Sequence, residues 1–262
     1  MGFELMWMIL LVCAVACAVG FKKFVYFLSI GYGFAVAAGA VATGIIFWDR
    51  LNWVTVLLIV LFVAYGARLS GFLLVRELKS ASYRKTLGEV TKTENPMPIF
   101  VLATIWVCVS LLYTAQVSPV FYRLYNGSAD VVVPLIGAAI SVAGLVLESL
   151  ADKQKSEQKK NNPDMVATQG LYKLVRCPNY LGEIIFWTGV LVSAFTTLSG
   201  VGQWMMAIVA WVLIVFIMCN GAQRLEKRQM ARYGSDKAYN DYANKTPIIF
   251  PFVPLYHLNK QK

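Results

Sequence analysis

Charge is scarce in this chain. Asp, Glu, Lys and Arg make up 15% of its 262 residues, against about 25% in soluble globular domains. That shortage excludes an ordinary soluble fold, because 58% of the residues are hydrophobic and they gather in long runs; the pattern is that of a polytopic membrane protein. Histidine is scarcer still. The single His257 sits near the C-terminus, which weighs against mechanisms that need two imidazoles, His-ligated metal chemistry included. The five cysteines (Cys13, Cys17, Cys108, Cys177 and Cys219) form no Cys-x-x-Cys pair, so neither a zinc site nor a disulfide framework follows. Cys13 and Cys17 are four residues apart and share a helix face as small core side chains. There is no Gly-x-Gly-x-x-Gly after a strand and no Walker loop.

What is present is an all-α pattern of seven apolar runs: residues 5–20, 24–48, 53–75, 97–117, 131–150, 180–198 and 201–219. The second has a small, flexible centre around Gly31-Tyr32-Gly33 that permits close helix packing. The basic residues decide the orientation. With the N-terminus outside, Arg50 and Arg123 face outward and Arg68 is embedded, which leaves 21 of the 24 Lys and Arg residues on the cytoplasmic side, together with the C-terminus. The net charge of +10 therefore belongs to loops that flank spans. It suits a cytoplasmic membrane surface or an anionic cofactor and gives no reason to expect nucleic acid. The expectation is one integral membrane domain, with residues 1–130 on the substrate side and residues 131–262 carrying the cofactor signature. The short loops favour a bacterial inner membrane over the endoplasmic reticulum.

The polar groups crowd between the fifth and sixth runs. Glu148 and Asp152 end one run; a basic linker, Lys153 to Pro163, follows; then Gly170-Leu171-Tyr172 and Arg176-Cys177-Pro178-Asn179-Tyr180-Leu181-Gly182-Glu183 lead into the next. Charged groups at the mouths of lipid-spanning segments are expensive, so each one is a candidate for function. A dinucleotide phosphate bound without a Rossmann loop needs Arg and Lys donors; Lys155, Lys159, Arg176, Arg224 and Arg228 are the candidates. Asp152 and Glu183 are placed to accept from ribose hydroxyls or a carboxamide.

These residues resemble the signature of the steroid 5-alpha-reductase family and its bacterial relatives. The Glu148/Asp152 spacing ahead of it fits, and so does the ending, Tyr242 followed by Lys245-Thr246-Pro247 and Pro251-Phe252. The likeness is strong over residues 148–254 and faint before. It implies a seven-helix membrane reductase that uses NADPH to reduce an activated carbon–carbon double bond in a lipophilic small-molecule substrate. By the resemblance, Asp152, Lys159, Asn179 and Glu183 fall on cofactor-contacting positions, with Tyr172 and Arg176 in the same signature and Arg224, Glu226 and Arg228 assigned by their place in the tail. Tyr65 and Arg68 fall on a Tyr-x-x-Arg pattern whose tyrosine faces the substrate carbonyl. Arg68, embedded, needs an anionic partner such as a phosphate or Glu148. The steroid reductases pair their tyrosine with a glutamate from an early helix; here the first two runs contain no interior acid. A second resemblance, to the isoprenylcysteine carboxyl methyltransferases, rests on Tyr233-Gly234 and Tyr239-Asn240-Asp241-Tyr242 and would imply S-adenosylmethionine instead of NADPH.

Overall fold

The computed structural model describes residues 2–79 and 97–259. Among the described residues all regular structure is helical. The principal helices are α1 (Gly2–Cys17), α2 (Ile30–Ile46), α3 (Trp53–Lys79), α4 (Ile99–Tyr125), α5 (Val132–Asn161), α6 (Pro178–Ser193), α7 (Gly200–Tyr233) and α8 (Lys237–Lys245). Lys85, and the polar loop around it, lies outside the described residues.

Among the described residues, five segments are long and apolar enough to cross a membrane: Glu4–Phe21, Trp53–Val75, Ile99–Tyr125, Val132–Asn161 and Gly200–Tyr233. The chain is an integral membrane protein. The second and sixth apolar runs behave differently. Residues Phe24–Leu28 wind as a separate short 3-10 turn before α2, which keeps only 17 residues. In the sixth, α6 stops at Ser193 after 16 residues, and Ala194 to Leu198 form turns. A helix needs about 20 residues to span the hydrocarbon at 1.5 Å per residue, so these two fall short of the expected seven full spans.

The linker and tail also depart from expectation. Residues 153–161 are the last turns of α5, and the basic stretch from Arg224 to Arg232 is the last part of α7. The physical reason is that neither stretch contains Gly or Pro, and Lys, Gln, Glu and Arg are good helix formers once outside lipid. α5 has 30 residues and α7 has 34, so each outruns a hydrocarbon core of about 30 Å.

The chain forms two compact units. The first comprises Met1–Ala138 and Leu191–Ala210; the second, Ala139–Val190 and Trp211–Lys262. In the first, α2 and α3 cross with backbones touching: a Cβ on Gly66 would lie 2.3 Å from the Gly33 carbonyl oxygen, and one on Gly33 2.7 Å from that of Gly66. Cys13 and Cys17 are fully buried there, and all five cysteines are free thiols. Arg123 is buried and donates to the Asp130 carbonyl, while Arg50 caps the end of α4 at the Leu124 and Tyr125 carbonyls.

In the second unit, α5 and α6 cross at Gly144 and Gly182. A Cβ on Gly144 would sit 2.4 Å from the Phe186 amide nitrogen, and one on Gly182 would sit 2.7 Å from that of Glu148. Only glycine permits this approach, and it brings Glu148 and Glu183 to one crossing.

Candidate functional site

The second unit assembles the signature. Glu148 and Glu183 are both buried beside the glycine crossing, and Asp152, Lys155 and Lys159 follow on later turns of α5, each half-buried. The segment leading into α6 is tied down by two glutamines one turn apart on α5. Gln154 Oε1 accepts from the Leu171 amide at 2.8 Å; Gln158 Oε1 accepts from those of Thr168 and Gln169 at 2.9 and 3.0 Å. Gly170 takes the left-handed conformation that the turn requires, with φ at +65°. Tyr172 is then buried, its hydroxyl on the Ala151 carbonyl and its own carbonyl accepting from the Tyr242 hydroxyl at 2.7 Å. Burial, reinforced by the nearby Asp152 carboxylate, pushes the Tyr172 phenol well above its usual range, so it stays a neutral donor.

Pro178 opens α6, where its missing amide costs nothing. Asn179 is half-buried in that first turn, and Tyr180 packs its ring 3.3 Å from the position a Cβ on Gly221 would take, which sets α6 against α7. Glu183, Arg224 and Arg228 all lie within electrostatic reach of the Tyr180 hydroxyl. Arg224 and Arg228 are exposed on α7. Lys159 donates to the Tyr233 hydroxyl and the Pro163 carbonyl, each at 3.1 Å. The neighbouring Cys177 thiol is pushed up to about 12 by burial and is chemically quiet at neutral pH.

Arg176 and Glu226 are a different kind of feature. Both are buried, and Arg176 Nη2 donates to Glu226 Oε1 at 2.8 Å and to the Tyr256 carbonyl. Glu226 also meets His257 Nδ1 at 2.9 Å and accepts from the backbone amides of Leu258 and Asn259 and the Asn259 side chain. Both carboxylate oxygens are filled by the chain's own donors. Glu226 is therefore a hub that fastens the C-terminal segment. The backbone of the signature adds to the fastening: the Arg176 and Cys177 amides bond the Pro247 and Ile248 carbonyls at 2.8 and 2.9 Å. The buried Tyr239 hydroxyl lies within hydrogen-bonding reach of the Arg176 guanidinium.

In the first unit, Tyr65 is fully buried on α3, next to the Gly66 crossing. Its ring meets the edge of Tyr32 with centroids 5.8 Å apart, and Tyr32 stacks on Tyr113 at 4.9 Å. Arg68, one turn on, is half-buried with its guanidinium 5.8 Å from the Phe72 ring. An apolar cavity of about 800 Å³ opens elsewhere in this unit, lined by Trp7, Leu10, Leu111, Thr114, Gln203 and Met206 among others. Tyr65 is not in its wall.

Residues 13–246 match a family described as a protein of unknown function, DUF1295. The chain belongs to that family. A steroid 5-alpha-reductase, DET2, of Gossypium hirsutum is 28% identical over 122 residues, which is 45% of this chain. The match spans only 42% of that relative's own length. No solved structure matches the chain.

Sequence reasoning missed several of the residues that build these sites. Gln154 and Gln158 sat in a stretch read as linker; their i, i+4 spacing was the available signal. His257 and its link to Glu226 carried no local signal at all.

Proposed function

We propose that this DUF1295 protein is an NADPH-dependent membrane reductase of an activated carbon–carbon double bond, an enone in a steroid-like or other lipophilic substrate. The observation that carries the reading is the second unit's pairing of Glu148 with Glu183 at the glycine crossing, with Glu183, Arg224 and Arg228 in electrostatic reach of Tyr180 and with Asp152, Lys155 and Lys159 on the later turns of α5. The partial similarity to a steroid 5-alpha-reductase supports it. The donor set fits a nucleotide: exposed or half-buried cations for the phosphates, and half-buried acid and amide groups for ribose and carboxamide. In this reading Lys155, Lys159, Arg224 and Arg228 hold phosphates, while Asp152, Asn179 and Glu183 hold the neutral parts, with Tyr172 shaping the wall. Glu226 acts through Arg176.

When bound, NADPH would supply the hydride. Hydride addition at the β carbon moves the double-bond pair toward the carbonyl and builds negative charge on its oxygen. The Tyr65 hydroxyl stabilises that oxygen and donates its proton; a solvent proton restores the phenol as the enol tautomerises. The proposed topology keeps seven membrane passes, with the N-terminus outside and the cofactor face in the cytoplasm.

Thermal melting of purified protein with NADPH, NADH and S-adenosylmethionine tests the cofactor. A ligand that binds only the native state raises the midpoint by mass action. NADPH is the expected winner; a shift with S-adenosylmethionine alone makes the protein a methyltransferase and discards the reductase. Tyr65→Phe tests the chemistry. NADPH binding should be intact and turnover lower by about 10²-fold; unchanged turnover removes Tyr65 from the mechanism.

A further inference from the structure

The apolar cavity of the first unit is a slot about one leaflet deep. Its walls come from Trp7 and Leu10 of α1, Leu111 and Tyr122 of α4, and Gln203 and Met206 of α7, and Tyr125, the last residue of α4, stands at its rim. Leu111 and Tyr125 are about 21 Å apart along the helix at 1.5 Å per residue, against about 15 Å for half of a bilayer's hydrocarbon core. The volume of about 800 Å³ falls in the range of about 300–1,000 Å³ for sites that enclose small ligands. All three helices belong to segments long and apolar enough to cross a membrane. Trp7 and Leu111 are 60% and 51% exposed, so the slot opens sideways, toward lipid. An apolar wall takes an apolar guest in preference to water.

The polar groups that a guest could use gather at the rim. Tyr122 lies one turn below Tyr125, and its hydroxyl has a thioether as partner, Met206 Sδ at 3.4 Å, a weak acceptor that leaves the phenol able to donate to a stronger one. Thr114, deeper in, turns its hydroxyl to the Ser110 carbonyl at 2.8 Å. Gln203 Oε1 accepts from the Asn126 side chain and the Ser199 amide. Beside the rim stands a cation. Arg50 is exposed, and its Nη1 donates to the Tyr125 carbonyl at 3.1 Å and to that of Leu124 at 3.4 Å. The Phe47 ring lies 5.9 Å from the guanidinium and meets the Tyr125 ring edge-on. These contacts fix Arg50 against the rim residue through Nη1 and leave Nε and Nη2 for another acceptor. Arg123, the other cation at this end of the bundle, is buried and donates to the Asp130 carbonyl.

We propose that this slot binds one phospholipid of the leaflet at the α4–α5 end, which is the external leaflet in the proposed topology. One acyl chain fills the slot down to Leu111, the Tyr122 hydroxyl donates to an ester carbonyl, and the phosphate pairs with Arg50. The order along α4 (cation, phenol, apolar wall) is the order of phosphate, ester and chain in the lipid. Arginine's fork suits a phosphate, but an exposed ion pair alone is worth little, so the buried chain carries most of the affinity. The site is separate from Tyr65 and does not depend on the reductase reading.

The test uses the whole chain in detergent, stripped of lipid, with three probes: dioleoyl phosphatidic acid, dioleoylglycerol (the chains without the phosphate) and glycerol 3-phosphate (the phosphate without the chains). Thermal midpoints are followed against probe concentration, and native mass spectrometry counts the lipids retained. Phosphatidic acid should stabilise saturably, with one molecule bound, at a concentration at least tenfold below that of either other probe. Dioleoylglycerol acting equally well overturns the role of Arg50, and glycerol 3-phosphate acting equally well overturns the slot. Gly202 also lines the slot, and a Cβ there would meet nothing within 4 Å, so Gly202→Leu fills it without a clash. That variant's lipid-free midpoint should match wild type, and it should bind phosphatidic acid at least tenfold more weakly. Leu111→Trp obstructs the slot from α4 and should weaken binding equally, which decides the matter if Gly202→Leu does not fold. Arg50→Gln should lower the affinity for phosphatidic acid to that for dioleoylglycerol. Wild-type binding in the slot variants, wild-type binding in Arg50→Gln, or stabilisation by none of the probes overturns the proposal.

Discussion

Replacing Glu226 by glutamine should unfasten the C-terminal segment. The Arg176–Glu226 pair is 2% and 1% exposed at its side chains, so solvent screening does not dilute the interaction. Glu226→Gln keeps the shape but removes the negative charge, leaving the Arg176 guanidinium buried without its counter-ion. Breaking a buried pair in this way costs about 3–5 kcal/mol. The new NH₂ also replaces an acceptor. It would face either the Arg176 and His257 donors on one side or the amides of Leu258 and Asn259 on the other, a donor–donor conflict in either orientation. At roughly 2–4 °C per kcal/mol for a chain of this size, the melting temperature of the detergent-solubilised protein should fall by about 6–20 °C. Limited proteolysis should cut near Tyr256 and His257 before other sites. Replacing the pair together, as Arg176→Met with Glu226→Leu, removes the orphan charge and should recover part of the loss, since apolar replacement of buried ion pairs is often tolerated. A Glu226→Gln protein that melts within about 2 °C of wild type would refute the hub.

Other consequences are open to measurement. Gly144→Ala and Gly182→Ala place a methyl within 2.4 and 2.7 Å of backbone atoms, so each should destabilise by about 1–3 kcal/mol and weaken nucleotide binding; Gly202→Ala, with nothing within 4 Å, should do neither, and a Gly144→Ala protein as stable as wild type would contradict the close crossing. Cys177 should resist a maleimide at pH 8 in the folded protein and react after denaturation, because burial pushes its thiol up to about 12; modification in the native state would show that the signature loop is open. In intact cells carrying cysteine-free protein, an impermeant thiol reagent should label Ala129→Cys and leave Lys227→Cys untouched, and the reverse pattern would invert the proposed orientation. Asn179→Ala and Glu183→Ala should each weaken NADPH by about 1–3 kcal/mol, read by titration; folded variants with wild-type affinity would take both residues out of the site.

The features that could be read ahead of the structure are those whose cause is local. Apolar runs yielded the long helices because hydropathy and length alone decide them, and Gly33 foretold the close packing onto α3 because removing a Cβ is a local act. The polar stretch after Glu148 was misread as linker for the opposite reason: its charged composition is neutral between loop and helix, and the outcome turned on the absence of Gly or Pro before Pro163. The helices α2 and α6 are shorter than their apolar runs because composition does not reveal where a backbone breaks into turns. The polar pairings lie beyond any local reading. Gln116 meets Tyr32 across 84 residues of chain and Glu226 meets His257 across 31, and no periodicity encodes either.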